Sequence, residues 1–149
     1  MKRTILAVSI SVFAVGFAWA HSGATGIVKE RMMAMKEIAA ATKLIAQQDW
    51  GNVEAARVEI KKNAEVLNKH ASEIVALFPQ GSIKGPSEAI PAIWERPEEF
   101  QRIVTVLETA SAQLADVSVT ASSKSDIEPV FQQIAGTCKG CHQDFRQKK

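Results

Sequence analysis

Near one end of the 149-residue chain stands the run Cys138-Lys139-Gly140-Cys141-His142. Two thiols three residues apart on a helix lie on one face. They can reach the two vinyl groups of one porphyrin and form thioethers. The imidazole that follows directly can turn toward the iron, and a neutral imidazole nitrogen is a good iron ligand. The spacing therefore reads as covalent attachment of one haem c, with Cys138 and Cys141 as anchors and His142 as an axial ligand. Other uses of a cysteine pair fit less well. A thioredoxin-like redox pair sits near a βαβ pattern, which this sequence lacks. A zinc site needs a fourth ligand and usually a second Cys or His pair. A structural disulfide across so few residues would not need His142.

The iron has a second axial position. His21 stands near the start of the chain. His70 lies off the main apolar row of its helix, one row from Leu67 and Ile74, where a surface histidine is usual. Met32 and Met35 lie on an apolar seam, with Met33 on a different face. A thioether can ligate haem iron, and Met/His ligation raises the potential. Met is equally a flexible core filler, and in that role it would leave the iron five-coordinate. Arg146, four residues after His142, projects on the same side. There it either sits against the proximal haem edge or is a solvated arginine helped by the helix dipole. Gly136 and Gly140 each cost about 1 kcal/mol relative to Ala inside a helix. At Gly140, between the cysteines, close approach of backbone and porphyrin explains the choice. At Gly136 a frayed terminal helix explains it as well.

These groups need a scaffold, and helical periodicity recurs four times. The first segment, about 25–48, has the seam Val28, Met32, Met35, Ala39, Thr42 and Ala46. The second, about 49–77, has Val53, Arg57, Ile60, Ala64, Leu67, Ala71, Ile74 and Phe78, with Asp49 as the expected N-cap. The third, about 95–119, carries Phe100, Ile103, Leu107, Ala110, Leu114 and Val117. The fourth, about 126–147, carries Ile127, Phe131, Ile134, Cys138, Cys141 and Phe145. Pro97 and Pro129 are each expected in a first turn, where the missing N–H costs nothing. Residues 79–97 hold four of the five prolines with Gly81 and Gly85. The fold expected is all-α, an antiparallel four-helix bundle with one long crossover between the second and third helices. Residues 118–125 read as a polar turn. The row Ile27, Ala34, Ile38, Ala41 and Ile45 either finishes the core or forms a contact between two copies.

Lys2 and Arg3, the apolar run 5–20 and the ending Ala18-Trp19-Ala20 read as a signal peptide, cleaved after Ala20. The run is about 16 residues, short of the roughly 20 that span a bilayer, and no other segment is apolar enough to span. The bundle domain is then 21–149. Of the 18 basic residues, Lys2 and Arg3 leave with the signal, so 16 remain against 16 acidic ones. A neutral mature chain carries no nucleic-acid footprint. Export suits haem c attachment, which takes place outside the cytoplasm. No paired carboxylates and no nucleophile–base set stand out, so substrate turnover is not expected.

The attachment motif on the last helix of such a bundle resembles the class II cytochromes c, the cytochrome c′ family. The run Lys29 to Lys36 is similar to the family's arginine followed four residues later by a distal-side apolar residue. Pro91-Ala92-Ile93-Trp94, then Phe100, and Phe145-Arg146 after the motif are also similar. The resemblance implies Arg31 near the haem propionates, Met35 facing the distal iron position, Trp94 in or beside the pocket and Arg146 on the proximal side. Met32 departs from it, since relatives often carry there a polar residue that reaches a propionate. The resemblance also implies a periplasmic protein that exchanges electrons with redox partner proteins, and dimers are frequent in the family. The expectation is a one-electron carrier with iron held by His142 and Met35. Its alternative is a five-coordinate, high-spin cytochrome c′ that binds nitric oxide or carbon monoxide.

Overall fold

The computed structural model describes residues 23–147. The expected signal peptide 1–20, His21, Lys148 and Lys149 lie outside the described residues. The elements are α1 (Gly26–Ala46), α2 (Val53–Glu73), a 3₁₀ turn (Val75–Leu77), a single helical turn α3 (Ala92–Glu95), α4 (Pro97–Ser118) and α5 (Lys124–Phe145). The four long helices form the expected bundle, and the 3₁₀ turn and α3 belong to the crossover between α2 and α4. Among the described residues no helix is long and apolar enough to cross a membrane.

Helix starts follow the local chemistry, with two corrections. The N-cap of α2 is Asn52, whose side chain accepts from the Ala55 amide at 3.1 Å. Asp49 instead closes the preceding turn by accepting from the Gly51 amide at 2.9 Å. Pro97 does open α4, and Glu98 and Glu99 in its first turn suit the helix dipole. Pro129, by contrast, lies inside α5. The helix begins earlier because Asp126 is the third residue of a capping box, not the cap. Its carboxylate accepts from the Ser122 and Ser123 amides at 2.7 and 2.9 Å. Residues 118–125 are thus more than a polar turn. Ala121 is buried there, and its carbonyl accepts from Arg57 Nε at 2.5 Å.

The core runs along α2 and α4, the most intimate pair, with α1 packed on α2 and α5 on α4. Ile60, Leu67, Leu114 and Ile134 are wholly buried, each contributing about 2–3 kcal/mol. Ala64, Ala71 and Ala110, also wholly buried, let the backbones approach closely. The expected seams of α2, α4 and α5 are largely the buried ones.

The seam of α1 is not the expected one. Its buried row is Val28, Arg31, Ala34, Ile38, Ala41 and Ile45. Met32, Met35 and Thr42 flank that row half-buried, and Ala39 and Ala46 are exposed. Alanine makes this helix nearly apolar all round, and a buried arginine occupies a core position that a count of apolar residues passes over. Ala34, Ile38, Ala41 and Ile45, half offered as a contact between copies, are core of the single chain.

Helix α1 makes no contact with α5 comparable to its packing on α2. The crossover links the two. It turns through Gly81 and Gly85 at φ +78° and +57°, where a side chain would be strained. At its far end it pairs with the end of α5. Ala89 and Arg146 form an isolated antiparallel bridge, Ile90 N–H donates to the Phe145 carbonyl at 3.2 Å, and Gln147 N–H donates to the Glu88 carbonyl at 2.8 Å.

Candidate functional site

The last turns of α5 carry the motif. Cys138 and Cys141 are half-buried free thiols, and both pack against the core. Burial pushes both thiols up. Cys141 reaches about 11, with Cys138 and Asp144 adding to the effect of burial. Both thiols are protonated at neutral pH, unlike the thiolate of a redox dithiol. Among the described residues no group of three or more His, Cys, Asp or Glu side chains could hold a metal ion.

His142 is largely exposed, yet partial desolvation lowers its pKa, and the Arg146 charge lowers it further against an opposing pull from Glu88. The ring is neutral at neutral pH, the state in which its nitrogen can bind iron. Arg146 is no freely solvated arginine. Its Nε donates to Glu88 Oε2 at 2.7 Å, its Nη2 bonds the same oxygen, and its backbone bridges Ala89.

Arg31 is 5% exposed. Its Nε and Nη2 donate to the Leu77 carbonyl at 3.1 and 2.8 Å, Nη1 donates to Ser87 Oγ at 2.9 Å, and Nη2 to Ser82 Oγ at 2.7 Å. The guanidinium carbon lies 4.0 Å from the centre of the Phe78 ring. Burial lowers its pKa from the ordinary value. No carboxylate of the described residues pairs with this buried cation. Trp94 is half-buried, and its indole N–H donates to the Phe78 carbonyl at 2.9 Å. Met35 is half-buried against the same core as the two cysteines, and Met33 is 50% exposed.

His70 is not the surface histidine its position suggests. It is 7% exposed between α1 and α2, with Nε2 2.7 Å from Glu37 Oε2 and Nδ1 3.8 Å from Glu73. It belongs to the α1–α2 seam, where it joins the two helices. The crossover residues Ser82, Ser87 and Glu88 were not foreseen. They meet Arg31 and Arg146 across more than 50 positions, and sequence spacing carries no sign of such contacts.

Haem c fits the residues present. Two unbridged thiols share a helix face, a neutral imidazole follows them, and a buried cation without a carboxylate stands at the first helix.

Comparison with known proteins agrees. A family model described as Cytochrome C′ matches residues 26–146. A cytochrome c′ of Rhodopseudomonas palustris is 32% identical over all of this chain and 99% of its own length. A cytochrome c-554 of Cereibacter sphaeroides is 34% identical over 62% of this chain and 67% of its own. The solved cytochrome c′ from R. palustris superposes with a TM-score of 0.71 at 25% identity, covering 85% of this chain and 99% of its own. A ferrous variant of cytochrome c′ from Alcaligenes xylosoxidans with bound nitric oxide shares the fold, with a TM-score of 0.68 at 23% identity over 83% and 94% of the two chains. The chain belongs to the cytochrome c′ family. It carries a single covalently attached haem c and acts in electron transfer, not as an enzyme.

Proposed function

We propose that this cytochrome works in the periplasm, after cleavage of residues 1–20, with iron held by His142 alone on the protein's side and neutral diatomic gases reaching the other. When bound, haem supplies reversible one-electron chemistry and an iron that can take nitric oxide or carbon monoxide. Cys138 and Cys141 anchor it, and the neutral His142 donates its nitrogen lone pair. Arg146, tied to Glu88, sets the charge beside that imidazole. Arg31 offers its charge to the propionates from a buried position. Met35 covers the distal side and Trp94 packs beside it.

The sequence expectation put Met35 on the iron. The reading changes because the relative matched along the whole chain is a cytochrome c′. That full-length similarity carries the proposal. Met35 ligation is the second reading, favoured by a half-buried Met35 one helical turn after the buried Arg31 on α1. Redox partner proteins serve either reading.

The test is the absorption spectrum of the purified holoprotein at neutral pH, with and without carbon monoxide. A high-spin ferric spectrum, and a ferrous form that takes up the gas, are expected. Met35→Ala should leave the spin state unchanged. A low-spin ferric spectrum with a methionine–iron charge-transfer band would overturn the five-coordinate reading in favour of Met35. Mass spectrometry of the periplasmic protein should find a chain beginning at His21; an uncleaved chain would refute the cleavage, and a protein found only in the cytoplasm would refute export.

A further inference from the structure

Five side chains form one continuous ladder through the end of the bundle where α1 and α5 lack direct packing. The Arg31 guanidinium lies over the Phe78 ring at 4.0 Å. Phe78 meets Phe100 edge to face, with ring centres 5.2 Å apart and planes at 73°. Phe100 meets Phe145 in the same manner at 5.3 Å and 80°. The Arg96 guanidinium closes the far end, 4.9 Å over the Phe145 ring. Edge-to-face is the preferred arrangement of such rings, and a cation over a ring face is attractive.

Backbone hydrogen bonds brace the rungs. Arg31 and Trp94 donate to the carbonyls of Leu77 and Phe78, and Arg96 Nη2 donates to the Asp144 carbonyl at 3.1 Å. Two members of the ladder, its first and its fourth, stand beside residues of the haem site. Arg31 is one helical turn before Met35 on α1. Phe145 is three residues after His142 on α5, and its carbonyl is held by the crossover. Phe100 and Phe145 are 4% and 2% exposed, so the middle of the strut is rigidly packed.

We propose that the Arg31–Phe78–Phe100–Phe145–Arg96 ladder is a strut that sets the separation of α1 from α5, and thereby holds Met35 at a fixed stand-off from the iron on His142. The inference rests on the five-coordinate reading for its sign. A shorter strut lets α1 settle toward α5 and brings Met35 within reach of the iron. Phe78, Phe100 and Arg31 are positioning residues in this scheme.

The experiment compares holoprotein variants Phe78→Leu, Phe100→Leu and Phe78→Tyr. Ferric spin state and carbon monoxide affinity are read beside hydrogen exchange of the α1 amides, which needs no gas or electron transfer. In the leucine variants a low-spin fraction should appear and the affinity for carbon monoxide should fall about two- to tenfold, the factor one lost aromatic edge contact carries. In Phe78→Leu, exchange should quicken in α1 and not in α2 or α4. Phe78→Tyr, which keeps the ring, should restore wild-type behaviour. Phe78 is only half-buried, so Phe78→Leu decides the matter if Phe100→Leu does not fold. Folded variants with unchanged spectrum and affinity would overturn the strut, as would exchange that quickens evenly in all four helices. A wild-type protein that is already low-spin would refute the five-coordinate reading instead. The strut would then be tested by whether Phe78→Leu alters that low-spin fraction.

Discussion

Replacing Arg31 by methionine keeps most of the side chain's length and removes its charge and donors. The site loses two hydrogen bonds to the Leu77 carbonyl, one each to Ser82 and Ser87, and the contact with the Phe78 ring. A buried acceptor left unsatisfied costs about 1–3 kcal/mol. Ser82, 8% exposed, has little access to water, whereas the half-buried Ser87 can rotate its hydroxyl toward solvent. A desolvated cation over a ring adds about 1–2 kcal/mol. Against these stands relief from burying a guanidinium, worth several kcal/mol before its hydrogen bonds are counted. With the Leu77 carbonyl and Ser82 both losing a donor, the losses total about 3–8 kcal/mol, and that relief brings the balance to a loss of about 2–4 kcal/mol. With a urea slope of roughly 2 kcal/mol per molar, the midpoint of unfolding should fall by about 1–2 M. Arg31→Lys should recover only part of this, because a point charge cannot reproduce the planar fork. The assay is urea unfolding of the holoprotein followed by far-ultraviolet circular dichroism. An Arg31→Met midpoint equal to wild type would refute the idea that this arginine anchors α1 to the crossover.

Three further outcomes are expected. The Cys138→Ala, Cys141→Ala double variant should lose all covalently bound haem in a denaturing gel stained for haem, while either single variant keeps one thioether; staining of the double variant would put the attachment elsewhere. Gly140→Ala should lower haem occupancy, even though an added Cβ would meet no protein atom within 4 Å; full occupancy with the usual helix-propensity gain of about 1 kcal/mol would remove the close-approach reading. The Asp126 carboxyl is held below the usual range by the Ser122 amide, the Ser122 hydroxyl and the Ser123 amide. Its contribution to stability is therefore complete above the ordinary aspartate value of about 3.9 and is lost as pH falls through the lower folded value. Asp126→Ala should be less stable at neutral pH and converge with wild type in acid, whereas parallel unfolding curves across that range would refute the cap.

Much of this protein was legible in its residues, and the exceptions share a cause. The spacing of Cys138, Cys141 and His142 pointed to the family and to haem c. The apolar rows of α2, α4 and α5 announce themselves because polar residues separate them from solvent faces. Helix α1 misled because alanine blurs its stripe and Arg31 fills a core position. His70 misled for the same reason, since a polar side chain was assigned to water while Glu37 waited on the facing helix. Asn52 and Asp49 are equivalent cap formers three positions apart, and only the backbone decides between them. Ser82, Ser87 and Glu88 are loop residues whose partners lie more than 50 positions away, and no local period registers such contacts.

The bridge between residues 88–90 and 145–147 has a consequence for how the chain reaches its final form. Helix pairs close in sequence can form quickly, whereas contacts at long separation wait on the entropy of a large loop. Ala89 and Arg146 stand more than 50 positions apart, so fastening them closes a large loop. The bridge that fastens the end of α5, just after Cys138 and Cys141, is therefore a late contact in folding. The entropy spent in holding the end of the motif's helix is thus set by the distance between Ala89 and Arg146 along the chain.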